Sequence, residues 1–158
     1  DHINEELSCF FIKEYIDEVL ESLIFELKNS KFKINVICLS DFQITSYPGA
    51  FYQIITNLFY NSIRHGFDGV DFGNIVINIS TNGSIATLVY RDDGIGISDN
   101  NMSRIFDPSF TTKQGRGGSG LGMHIVNNLV TNVLSGDIKV NSQEECGTEF
   151  IITFPCNI

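Results

Sequence analysis

Apolar residues recur at helical spacing from Phe11 to Leu27, with Ile12, Tyr15, Ile16, Val19, Leu20 and Leu23 on one face and Glu and Asp on the other. That spacing predicts an amphipathic helix. The β-branched runs 32–39 and 42–45 predict two short strands. Ser46-Tyr47-Pro48-Gly49 opens a second helix, with Pro48 in its first turn, and the pattern carries on to a C′ glycine at Gly66. Segments 74–81 and 85–92 alternate around Asn82-Gly83, a hairpin signal. Residues 102–106 read as at most a short helical piece. A glycine-rich polar loop follows, and then a third helix over 121–134, with Ile125, Leu129 and Val133 on one face beside Val126 and Val130. Segments 137–143 and 148–155 predict a closing hairpin. The fold class is therefore α+β, a two-layer sandwich. A mixed, mostly antiparallel sheet is covered on one face by about three helices.

Length and charge narrow the function classes. A chain of 158 residues with 42% apolar residues suits one globular domain with a sizeable core. No apolar run approaches the ~20 residues of a membrane span, and the acidic, polar start is unlike a signal peptide. The chain begins without Met and is read as a piece of a larger protein, whose membrane anchoring would lie elsewhere. A net charge of −9 disfavours nucleic acid as a partner. A polyanion could be held only by a local device such as backbone amides, a few cations or a metal. Cys9, Cys38, Cys146 and Cys156 form no Cys-x-x-Cys pair, which argues against zinc and for reduced, partly buried cytosolic thiols.

Three segments carry candidate chemistry. Residues 115–122, GRGGSGLG, hold five glycines in eight positions directly before an apolar helix. GRGGSG matches G-x-G-x-x-G, but no apolar strand precedes it, so the dinucleotide-fold reading fails on context. No Gly-Lys-Ser/Thr follows, so the Walker reading fails too. A surface loop and a phosphate loop of another kind both stay open. On the second helix Asn57, Asn61, Arg64 and His65 share one helical stripe. They could be solvent-facing or capping residues. Alternatively a side-chain carbonyl ligates Mg²⁺ and Arg64 neutralises phosphate. In RDDGIGIS, Asp92 ends a strand and Gly94 and Gly96 follow. This could be a plain acidic turn, or a carboxylate that accepts from an exocyclic amine and so selects adenine over guanine.

Taken in order, NLFYNSIRH, DDGIGI, IFDPSFTTK, GSGLGMHIV and CGTEF resemble the N, G1, F and G2 boxes and the following Gly-Thr element of the ATP-binding catalytic domain of sensor histidine kinases. That family lies within the wider gyrase, Hsp90-type chaperone, histidine kinase and mismatch-repair superfamily. The resemblance covers about residues 10–155 and implies the Bergerat ATP-binding fold as a single domain, with ATP and Mg²⁺ as cofactors. It implies Asn61 as the metal-ligating asparagine, Asn57 as its companion one turn earlier, and Arg64 in place of a phosphate-contacting lysine. His65 stands where an aromatic or histidine lies near the nucleotide. Asp92 would accept from adenine, Gly94, Gly96 and Ile97 would shape its pocket, and Thr148 would complete the base contacts. Phe106 and Phe110 match the F box, while Ser119, Gly120, Leu121 and Gly122 match the turn whose amides face phosphate. Residues from about 100 to 119 would form a mobile lid, with Lys113 and Arg116 as phosphate cations. In the F box Ser109 stands where an aromatic is common, and arginine replaces lysine at Arg64, with a different fork and reach.

The same resemblance separates kinase from hydrolase. Hydrolytic members place a glutamate four residues before the metal asparagine, as general base; here that position is Asn57, which cannot take a proton at neutral pH. The implied activity is phosphoryl transfer to a histidine on a separate helical dimerisation domain, and then to a response-regulator receiver domain. The expected setting is cytoplasmic and the isolated segment monomeric. Among the chain's own histidines, His2 is followed by no acceptor helix and His124 falls at a packing or half-exposed position, so no transfer to itself is expected. The alternative from another class is a degenerate docking module that holds nucleotide without transfer.

Overall fold

The computed structural model describes residues 6–28, 30–108 and 122–158. Helix α1 spans Ile12–Leu23 and tightens into a 3-10 turn over Ile24–Leu27. It buries Ile12, Ile16, Val19, Leu20 and Leu23, the stripe its periodicity predicts. No neighbouring side chain caps its first turn. Asp41 does so from across the fold, accepting from the N–H of Lys13 at 2.9 Å and of Glu14 at 3.2 Å.

Among the described residues seven strands form: β1 Ser8–Phe11, which no alternating segment foretold, and, on the six predicted segments, β2 Lys31–Ile37, β3 Gln43–Ser46, β4 Phe72–Thr81, β5 Ile85–Asp92, β6 Asp137–Gln143 and β7 Gly147–Pro155. Five of them make one sheet in the order β2-β4-β5-β7-β6. Only the β2–β4 pair is parallel, because the chain crosses over through β3 and a helix between them. The β4–β5 hairpin turns at Asn82 and Gly83, with Gly83 at φ 103° and the Asn82 side chain accepting from the N–H groups of Ser84 and Ile85.

One sheet was expected, yet β1 and β3 form a second, two-stranded antiparallel sheet. The chain's last residues fasten onto it, since Thr45 donates to the carbonyl of Cys156 at 2.8 Å and accepts from Ile158 at 3.1 Å.

The helical layer holds α1, α2 (Pro48–Asn61) and α4 (Gly122–Asn128), with α2 against both neighbours; α3 is a single turn over Asp99–Met102. Phe51, Ile54, Ile55, Leu58 and Phe59 of α2 are buried with the inward side chains of β4, β5 and β7, among them Ile77, Leu88 and Phe154. The Phe51 and Phe154 rings meet edge to face at 5.0 Å. Each such side chain contributes about 1.5–3 kcal/mol.

Helices α2 and α4 each run on into a π turn, Ser62–Gly66 after α2 and Leu129–Val133 after α4. This changes two expectations. The third helix buries Met123, Val126, Leu129 and Val130, while Ile125 falls off the Met123–Val126–Val130 face and is exposed, and Val133, at the end of the wider turn, is half-buried. Gly66 lies inside a π turn and is not a left-handed C′ residue; Phe67 caps it. All four cysteines are free, with Cys156 buried, Cys38 half-buried and Cys9 and Cys146 exposed. Among the described residues no helix is long and apolar enough to cross a membrane.

Candidate functional site

Alternation along β5 turns Ala86, Leu88, Tyr90 and Asp92 inward, so the strand's last residue delivers a carboxylate to the helix–sheet interface. Asp92 is 2% exposed. Its Oδ1 accepts from the N–H of Gly94 at 3.1 Å and of Thr148 at 3.3 Å, and its Oδ2 from the Ser62 hydroxyl at 2.7 Å. Burial pushes its pKa above the ordinary carboxylate value, and the three hydrogen bonds act against that push. A carboxylate has about four acceptor positions; described residues fill three.

Glycine is required at this strand end by close approach. A Cβ on Gly94 would stand 2.0 Å from the carbonyl oxygen of Gly66, and one on Gly66 would meet Asp92 Oδ2 at 2.9 Å. The Gly66 carbonyl accepts from Ile95 at 2.7 Å, which ties the turn after α2 to the turn after β5. Gly96 sits at φ 76°, and a Cβ there would strike the carbonyl of Gln143 at 2.1 Å. Ile97 is half-buried and donates its N–H to Ser142, whose hydroxyl also meets that of Thr148 at 2.9 Å. Three segments far apart in sequence thus converge on one carboxylate.

The asparagines come from α2, just ahead of Ser62 in the chain. Asn57 and Asn61 are half-buried on α2, and neither amide is hydrogen-bonded to another described residue. The π turn spreads the stripe expected for the four polar residues: His65 stays half-buried, while Arg64 is exposed with its guanidinium 5.0 Å from the Tyr60 ring centre. Tyr60 in turn donates its hydroxyl to Glu26. Phe106 is half-buried against the core, Gly122 is the first residue of α4, and His124 is exposed. Phe110, Lys113, Arg116, Ser119, Gly120 and Leu121 lie outside the described residues, as does most of the expected lid.

Sequence reasoning missed Ser62, Tyr90 and Gly66. Ser62 had a visible signal, since it follows Leu58 by four positions on the apolar stripe and is a polar residue where the core continues. A depression of about 300 Å³ where β5, β6 and β7 end includes Asp92 and Thr148 but not Ser62 or the asparagines; it borders the site from the sheet side.

Known proteins share this arrangement of sequence and fold. Sensor histidine kinase ZraS of Escherichia coli K12 is 36% identical over 117 residues, covering 73% of this chain and 24% of that protein. RcsC of the same strain is 33% identical over 112 residues, covering 68% and 11%. The chain thus spans a quarter or less of the length of these curated relatives. Among solved structures, the nucleotide-free catalytic domain of histidine kinase ThkA matches with a TM-score of 0.77 at 26% identity, over 97% of this chain and 99% of that one. Full-length ShkA, in complex with AMPPNP, matches in fold with a TM-score of 0.82 at 23% identity, over 98% and 32%. The family model for histidine kinase-, DNA gyrase B- and HSP90-like ATPases matches residues 47–158, from the start of α2 past the strand-end carboxylate to the last residue, and the chain belongs to that family.

Proposed function

We propose that this chain is the ATP-binding catalytic unit of a sensor histidine kinase. It passes the γ-phosphoryl group of ATP to a histidine on a separate helical dimerisation domain, from which it goes to a response-regulator aspartate. The observation that carries the proposal is Asp92, a buried, acceptor-only carboxylate with one acceptor position left beside a turn that only glycines can form. Such a group suits an exocyclic amine on a flat ring and refuses a carbonyl. The relatives' names support the kinase reading, the AMPPNP complex of ShkA supports the ligand, and a complex of ThkA with response regulator TrrA supports the partner.

In this reading Asp92, Thr148 and Ile97 hold the base, with Gly94 and Gly96 making room for it. His65 and Phe106 border it. Among the described residues no group of three or more His, Cys, Asp or Glu gathers, so a divalent ion would be held by an amide oxygen together with phosphate oxygens. Asn61 supplies that oxygen, Asn57 supports the phosphates, and Arg64 neutralises their charge. When bound, ATP and Mg²⁺ supply the transferable phosphoryl group and the charge screening that such transfer needs. Asn57 cannot act as a base, so water activation from this site should be poor, and the acceptor imidazole brings its own lone pair.

The test supplies γ-labelled ATP, Mg²⁺ and a separately produced histidine kinase dimerisation domain. Label should move onto that domain's histidine only when this chain is present. A chain that binds ATP but labels no acceptor would favour the docking module, and release of free phosphate as the main product would favour a hydrolase.

A further inference from the structure

We propose that Tyr90 and Ser62 form a one-way hydrogen-bond chain that fixes how Asp92 presents its last acceptor position, which makes both of them positioning residues for base selection. The proposal rests on the nucleotide reading of Asp92. The three side chains come from two elements. Tyr90 and Asp92 are two residues apart on the inner face of β5, and Ser62 starts the turn after α2. All are buried: Tyr90 is 0% exposed, Ser62 1% and Asp92 2%. The Tyr90 and Ser62 hydroxyl oxygens are 2.9 Å apart, and Ser62 Oγ lies 2.7 Å from Asp92 Oδ2.

Chemistry fixes the direction of each proton. An ionised carboxylate only accepts, so the single hydroxyl proton of Ser62 points to Oδ2. Ser62 is then only an acceptor toward Tyr90, and the phenol donates. A serine in a helix ordinarily turns its proton to the carbonyl one turn back, which here belongs to Leu58. Donation from Tyr90 into Ser62 Oγ favours the orientation toward Asp92 instead. The two backbone N–H groups occupy Oδ1 and Ser62 occupies one position of Oδ2, so a ligand meets one acceptor with one direction. Without the Ser62 hydroxyl the carboxylate can turn, or admit a water that donates to a carbonyl as readily as it accepts from an amine. Discrimination between purines then weakens even though the carboxylate remains.

The test measures calorimetric affinity for ADP and for inosine diphosphate, which carries an oxo group where ADP carries the amine. It uses wild type, Tyr90→Phe, Ser62→Ala, the double variant and Ser62→Thr. Wild type should prefer ADP. Ser62→Ala should lower ADP affinity about tenfold and Tyr90→Phe about threefold, the size of losing one hydrogen bond to a charged group and one behind it. The preference over inosine diphosphate should narrow in both. Tyr90→Phe should add nothing in the Ser62→Ala background, because it acts through Ser62. Ser62→Thr, which keeps the hydroxyl, should restore the preference. A role in packing alone would lower affinity for both nucleotides alike and additively, and that result would overturn the proposal. Tyr90→Phe removes one oxygen and keeps the ring, so the comparison stands even where Ser62→Ala does not fold. Failure of wild type to bind ADP would overturn the nucleotide reading itself, and the proposal with it.

Discussion

The two ends of the candidate site are built differently. Around Asp92 every polar group is held: backbone N–H groups on one oxygen, Ser62 on the other, Tyr90 behind Ser62, and glycines packed against backbone. Around Asn61 the amides of α2 are half-buried and unengaged by described residues, and the exposed Arg64 places its guanidinium over the Tyr60 ring. The first end is completed by folding alone, which on the proposed reading makes it the surface that recognises the base. The second is a set of side chains on a helix whose work depends on what they meet. Rigid preorganisation suits base selection, where one wrong donor is costly, and adaptable side chains suit a phosphate tail that changes during transfer.

The largest effect is expected at Asn61. Asn61→Ala should reduce transfer to the supplied acceptor domain by about 100-fold or more, the order seen when a group stabilising the transferring phosphoryl is removed. Affinity for ADP without Mg²⁺ should stay within about twofold. Unchanged transfer would remove Asn61 from the metal.

Asp92→Asn should do the reverse, lowering nucleotide affinity by about ten- to a hundredfold. Stability should move the other way. Burial holds the Asp92 pKa above 3.8, so the folded chain binds that proton more tightly than the unfolded chain. The group therefore counts against stability once pH has risen through the raised value, and the penalty vanishes below 3.8. Asp92→Asn removes that penalty, and Tm at pH 7 should be equal or higher. Because only the ionised form accepts from an amine, wild-type affinity should fall on acidification at a pH above 3.8, and Asp92→Asn should lack that limb. A Tm loss with unchanged affinity would make Asp92 structural.

Gly94→Ala should lower stability by about 1–3 kcal/mol, read as a drop in Tm, because its Cβ would stand 2.0 Å from the Gly66 carbonyl. The smallest effect belongs to Tyr60→Leu, which removes the ring under Arg64. A cation–π contact at an exposed site is worth about 0.5–1 kcal/mol, so transfer should slow about two- to fivefold with ADP affinity without Mg²⁺ unchanged.

What the sequence made legible was periodic or local. The α1 stripe, the β4–β5 hairpin, Pro48 in the first turn of α2 and the DDGIG turn each follow from neighbouring residues. What it hid was contact across the fold. The cap of α1 is Asp41, from the loop before β3, and no local pattern reveals it. The β1–β3 sheet was missed because Ser8–Phe11 runs straight into a helix and shows no alternation. Gly66 looked like a helix terminator, while its absent Cβ in fact makes room for the Asp92 carboxylate. Ser62 and Tyr90 were missed because their meaning depends on the register that sets both against Asp92.

The central claim is that the Asp92 end selects an adenine nucleotide. Calorimetric titration with AMPPNP, with and without Mg²⁺, and with the corresponding guanine analogue, tests it most directly. The account predicts binding that prefers adenine in both conditions and tightens with Mg²⁺. Equal binding of both analogues, or binding of neither, would contradict it.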